Sequence, residues 1–196
     1  MRTHHVGLAF AILALGLGTG VAFGQAPAPR SNRSGQWLGF GLGAGVGRVS
    51  CAICQTNRHG SVAGYVRAGG TLSRRFLVGL EANGWTHNVD NVDEFLLGVA
   101  AQLIHYPNPR KRLYYKAGLG VMMYHADDGP NRIASTAVGP VLGAGYDLPA
   151  SPSVSFTPFA SVFVASLGGE IKFNGDNIRD DVGLMLMQLG VGVTWH

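Results

Sequence analysis

From Trp37 onward, apolar residues recur at every second position, and no stretch keeps a helical period. Eight segments carry the alternation: 37–49, 61–72, 76–87, 94–106, 113–124, 135–148, 154–167 and 181–195. Each predicts a strand with the roughly nine to eleven residues, or somewhat more, that a tilted strand needs to cross a bilayer. The connections alternate as well. SRR (73–75), PNPRKR (107–112) and PASPS (149–153) are short, whereas 50–60, 88–93, 125–134 and 168–180 are mostly longer and more polar and read as loops. Three short turns, four longer loops and both ends of the sheet on the short-turn side predict an all-β fold. The expected architecture is an eight-stranded antiparallel up-and-down β-barrel over residues 37–196.

Parity separates two faces. One holds Leu38, Phe40, Leu42, Val66, Leu80, Leu119, Leu142, Val164, Leu189 and their like; the other holds glycine, Ser, Thr, Gln and a few charges. A soluble lipocalin-like ligand-binding barrel would turn the apolar set inward and leave water facing a surface of mostly glycine. A transmembrane barrel turns the apolar set to lipid and fills its narrow interior with the small, polar set. The aromatics favour the second arrangement. Phe40, Phe76, Tyr115, Tyr146, Phe156 and Trp195 all carry outward parity and all lie near the short-turn ends of their strands, as an interfacial girdle requires.

Composition points the same way. Only 13% of residues are charged and 30 of 196 are glycine, against about 25% and about 7% in a soluble domain. Residues 1–24 read as a cleaved signal peptide: basic Arg2, His4 and His5, an apolar run from Val6 to Phe23, and small residues at Ala22 and Gly24 that place cleavage before Gln25. Residues 25–36 (QAPAPRSNRSGQ) form a flexible lead-in. Fifteen Lys and Arg, one of them in the leader, stand against eleven Asp and Glu. That balance is too mild and too scattered for a nucleic-acid partner.

The signal, the eight-strand meander and the last strand, GLMLMQLGVGVTWH, together resemble the OmpA/OmpX-like small outer-membrane barrel proteins. The resemblance covers residues 37–196. It implies a monomer in the outer membrane of a Gram-negative-type bacterium, in contact with membrane lipid and lipopolysaccharide. Members of that family end on an aromatic residue preceded by alternating apolar ones, a signal read by the barrel-insertion machinery. Leu189, Val191, Val193 and Trp195 match it, and His196 departs from it by following the aromatic residue, which would lower insertion efficiency. The peptidoglycan-binding domain of OmpA has no counterpart here, so cell-wall anchoring does not carry over.

Several charges fall on the inward parity. Counting across the SRR turn sets Arg67 opposite Glu81, and counting across PNPRKR brings Gln102 near Lys116. A belt of Arg67, Glu81, Gln102 and Lys116 is therefore expected in the lumen, as a packed polar core rather than a gate or proton path. The inward glycines of the first strand (Gly39, Gly41, Gly43, Gly45, Gly47) leave room for Tyr65, Tyr114 and Phe163. Their strict period of two excludes a nucleotide-binding G-x-G-x-x-G.

Cys51 and Cys54 lie in the first long loop, and in an exported chain such a pair is expected as a disulfide clip. A metal site with His59 is the minor alternative, one ligand short and without a second C-x-x-C; a redox role lacks a group to lower a thiol pKa. The acidic loop residues Asp90, Asp93, Asp127, Asp128, Asp176, Asp180 and Asp181 are expected to be solvated or bridged by cations to lipopolysaccharide. A lipid A-modifying enzyme would need an outward Ser/His pair near the outer leaflet. His105 lies at the short-turn end, His87 has inward parity and His125 has no outward serine at useful spacing. The expectation is a non-enzymatic barrel, without cofactor or metal, whose structural or surface-interaction role is carried by its extracellular loops.

Overall fold

The computed structural model describes residues 34–51, 58–89, 92–127, 129–180 and 182–196. The expected signal peptide, and the lead-in up to residue 33, lie outside the described residues. The strands in chain order are β1 (Gln36–Ser50), β2 (Arg58–Thr71), β3 (Phe76–Val89), β4 (Val92–His105), β5 (Leu113–Asp127), β6 (Arg132–Tyr146), β7 (Leu148–Pro149), β8 (Val154–Ala165), β9 (Leu167–Phe173), β10 (Asp176–Asp180) and β11 (Gly183–Trp195). Eight of them close a transmembrane barrel: each of β1 to β5 pairs antiparallel with the next in the chain, β6 pairs with β8, β8 with β11, and β11 with β1. Closure leaves no open edge along the wall, which a sheet in hydrocarbon requires because lipid offers its N–H and C=O groups no partner.

Alternation sets the two faces. Along β1 Trp37, Gly39, Gly41, Gly45 and Gly47 are buried, while Leu38, Phe40 and Leu42 between them are exposed. The same holds around the ring, where Leu42, Leu119 and Leu189 each leave about two-thirds of their surface open (66%, 67% and 69%). The apolar set therefore faces outward, and the soluble ligand-binding barrel, which needs it inside, is excluded. Fifteen residues of β1 at about 3.3 Å each, tilted by about 40°, rise about 38 Å. An apolar band is about 25 Å tall, so the strand ends stand clear of the lipid.

Inward glycines make the interior fit. A Cβ on Gly41 would lie 2.5 Å from the Tyr65 ring and 2.9 Å from that of Phe159, and one on Gly47 would lie 3.0 Å from Trp85 and Leu96. The expected partners of these glycines are thus partly corrected. Tyr65 does rest on β1, but Tyr114 packs over Gly145 on the adjacent β6, and Phe163 reaches over the lumen to Gly98 on β4.

The short turns are held locally. Ser73 Oγ accepts from the backbone N–H of Arg75 and Phe76, each at 3.2 Å, and Asn108 Oδ1 accepts from that of Arg110 at 2.9 Å. The outer connections differ from expectation. The segment 168–180, read as a loop, is largely the hairpin β9–β10, with β9 continuing the wall beside the outer half of β6. Its tip is Asn174 and Gly175, both at positive φ (49° and 99°). Such a tip is the mirror-image two-residue turn whose twist matches that of the strands, and Asn-Gly is the pair that adopts it most readily. The β3–β4 and β5–β6 connections are short as well, because those strands run on to Val89↔Val92 and Asp127↔Arg132. At the latter, the Gly129 N–H and the Arg132 guanidinium hold the Asp127 carboxyl below the usual carboxylate range.

Two outcomes follow from this wall. The purified chain migrates faster on a gel unboiled than boiled, as a closed barrel does; identical mobilities would contradict closure. Leu119→Arg, at the middle of β5, destabilises the barrel in lipid vesicles by about 2–4 kcal/mol in a urea titration, whereas the same change at an exposed outer-end residue such as Thr86 costs about 1 kcal/mol or less.

Candidate functional site

The interior is layered. At the short-turn end Trp37, Leu77, Ile104, Tyr106 and Tyr114 form one apolar cluster. A larger one, including Trp85, Leu96, Met122, Phe163, Leu184 and Leu186, fills the outer half. Three of the four predicted belt residues lie between these layers on their own strands: Glu81 between Leu77 and Trp85, Gln102 between Ile104 and Leu96, Lys116 between Tyr114 and Met122. Arg67, Glu81, Gln102 and Lys116 are all buried, none more than 5% exposed.

Their pairing departs from the count across the turns. Arg67 stands opposite Glu81 in the β2–β3 register, yet its guanidinium donates across the lumen to Tyr114 Oη (2.9 Å) and Thr194 Oγ1 (3.0 Å). It lies 5.0 Å from the centre of the Tyr65 ring and 5.2 Å from that of Tyr114, so aromatic faces add to its solvation. Glu81 instead accepts from Lys116 Nζ at 2.5 Å and from Asn83 Nδ2 at 3.1 Å. Gln102 stands opposite Gly118, and Lys116 opposite Ile104, so those two are diagonal neighbours.

A residue not singled out from the sequence completes the charge balance. Asp147 is 1% exposed and accepts from Tyr106 Oη (2.7 Å) and Thr157 Oγ1 (2.9 Å). Among the described residues the buried Lys, Arg, Asp and Glu side chains are two cations, Arg67 and Lys116, and two carboxylates, Glu81 and Asp147. Inward parity along β6, continued through Gly143 and Gly145, was the available signal for Asp147. Its place at the edge of a turn masked it.

The other expected groups are placed as follows. Phe40, Phe76, Tyr115, Tyr146, Phe156 and Trp195 are all exposed on the outer wall near the short-turn end. Phe40 and Trp195 sit 5.5 Å apart between ring centres, and Phe76 stacks on His105 at 4.7 Å. His105 is thereby part of that girdle and far from the outer end. Leu189, Val191, Val193 and Trp195 of β11 face outward along the seam with β1. Cys51 is partly buried against the outer apolar cluster and is not a free thiol, while Cys54 lies outside the described residues.

A closed eight-stranded ring with lipid-facing leucines, one aromatic girdle and a plugged polar lumen defines a small outer-membrane-type β-barrel. Solved structures of that fold are similar to it. Neisserial surface protein A matches with a TM-score of 0.55 and 15% identity, covering 83% of this chain and 97% of that one. Ail, the attachment invasion locus protein of Yersinia pestis, matches with a TM-score of 0.51 and 14% identity, over 82% of this chain and 99% of its own. No protein-family profile and no curated protein sequence matches the chain.

The belt yields a sharp mutational expectation. Glu81→Gln leaves the Lys116 ammonium buried without its counter-charge and lowers stability in lipid vesicles by about 3–5 kcal/mol. Adding Lys116→Met recovers most of the loss, because a neutral pair needs no compensation. A Glu81→Gln variant that stays fully stable but conducts ions strongly would make the belt a gate rather than a packed core.

Proposed function

We propose that this chain is a non-enzymatic, monomeric protein of the bacterial outer membrane, exported by cleavage of residues 1–24, with a structural or surface-interaction role carried by its outer end. The observation that carries this reading is the sealed lumen: two apolar layers enclose a charge-balanced belt, so the barrel offers no wide passage. What remains for work is the outer rim, made of the strand ends above the apolar band, their connections and the β9–β10 hairpin. The names of the two similar structures, a surface protein and an attachment protein, agree with a role at the cell surface.

Lipopolysaccharide is the expected lipid partner. Arg48 and Arg58 stand directly opposite each other at the outer ends of β1 and β2, on the parity of the lipid-facing residues. Two like charges side by side repel unless an anion joins them, and a phosphate does so with charge-assisted hydrogen bonds. Above them, we propose that Cys51 and Cys54 close the first outer connection as a disulfide, which would hold the rim of β1 in the oxidising environment outside the cell.

Mass spectrometry of lipid A from cells with and without the protein tests the central reading. Identical spectra are expected; an acyl or phosphate change that depends on the protein would establish an enzyme instead. In planar bilayers the purified barrel shows no porin-sized conductance. Thiol titration of the denatured, unreduced protein finds no free thiol, and two free thiols would remove the clip.

A further inference from the structure

Three side chains from three adjacent strands converge inside the outer mouth: His59 of β2, His87 of β3 and Glu94 of β4. One donor atom from each lies within 4.8 Å of the others, and all three are partly buried. His87 stands opposite Glu94 in the β3–β4 ladder, and the two imidazoles lie 4.6 Å apart between ring centres. All three carry the inward parity: His87 and Glu94 stand one inward position beyond Trp85 and Leu96 of the apolar layer that closes the lumen, and His59 two beyond Ala63.

Two features go beyond proximity. His87 Nε2 is buried without a hydrogen-bond partner among the described residues, which is costly for an imidazole nitrogen unless something binds there. Glu94 is held from behind: Tyr124 Oη donates to its Oε1 at 2.7 Å, leaving the carboxylate a second oxygen to offer. A metal-ligating carboxylate is normally hydrogen-bonded in this way, which fixes its orientation.

We propose that His59, His87 and Glu94 form a binding site for a divalent transition-metal ion at the outer mouth of the barrel. Two imidazoles and one carboxylate are the donor set for zinc, copper or nickel, whereas calcium and magnesium take oxygen ligands. Metal bonds of about 2.0–2.2 Å place tetrahedral donors about 3.4 Å apart. Side-chain rotation of about an ångström reaches that spacing from the present one. Three protein ligands leave the fourth position to water or to a group on an incoming molecule. The ion would clamp the ends of β2, β3 and β4 together above the apolar layer. Spacing along the chain associates His59 with Cys51 and Cys54; His87 and Glu94 reach the same point from different strands.

The full mature barrel in detergent micelles, titrated calorimetrically with Zn²⁺, is expected to take up one ion per chain. His59→Ala, His87→Ala and Glu94→Gln each weaken binding by at least about tenfold, and Tyr124→Phe weakens it by about tenfold through the lost orienting bond. His105→Ala, on the lipid-facing wall, leaves it unchanged. Heat-modifiable migration of every variant verifies that the barrel is folded. Because the Trp85 ring lies 5.7 Å from that of His87, Cu²⁺ quenches tryptophan emission in the wild type and much less in Trp85→Phe. Absence of stoichiometric binding overturns the site, as does binding that survives His87→Ala unchanged. Binding abolished by Cys51→Ser/Cys54→Ser but not by Glu94→Gln overturns it too, in favour of the cysteine loop.

Discussion

The ladder between β1 and β11 is the contact on which the rest of the molecule depends. It joins the first and last strands from Leu38↔Trp195 to Ser50↔Gly183. Without it the sheet would present two long edges to hydrocarbon, where each unpaired backbone group costs several kcal/mol. Once the ring is closed, the interior diameter is set by strand number, and every inward side chain must fit a section only wide enough for side chains. The seam therefore dictates the composition of both faces, and its own β1 carries the glycines that keep its inner side open.

Within that fixed section, bulk and charge are both balanced across the lumen. Tyr65 and Phe159 meet edge to face at 4.7 Å over the bare backbone of Gly41, and Trp85 donates its indole N–H to the Gly45 carbonyl at 3.3 Å. Large residues on one strand thus answer missing side chains on another. The charges obey the same logic with longer reach. Lys116 crosses from β5 to Glu81 on β3, and Arg67 crosses from β2 to Tyr114 on β5 and Thr194 on β11. These bonds brace the barrel through its lumen, where the backbone ladders act only around its circumference.

The wall was legible in the sequence because strand parity is strictly two-fold: once Leu38 faces lipid, Gly39 and Gly41 must face inward. Register was legible across tight turns, as at Arg67↔Glu81, where few residues separate the partners. Side-chain pairing was not, because register fixes Cα neighbours while long lysines and arginines choose partners across the lumen. The outer hairpin is hidden by its polar composition, which has the character of a loop, although the Asn174-Gly175 pair within it is a hairpin-turn signal. The convergence of His59, His87 and Glu94 was hidden for a different reason. It depends on three strand ends reaching one height, which no local pattern encodes.

The β9–β10 hairpin adds a strand that the eight-stranded ring does not include. Among the described strands β10 stands at the end of the sheet order, paired with β9, at the outer end of the wall. In lipid an outermost strand would be untenable; in water backbone groups can be satisfied by solvent or by another extended backbone. The sequence of β10, DNIRD, sets charged residues at both ends of this short strand, a common defence against indiscriminate strand pairing. A barrel that has sealed its interior thus carries a short strand with charged ends at its outer rim, where its surroundings are water rather than lipid.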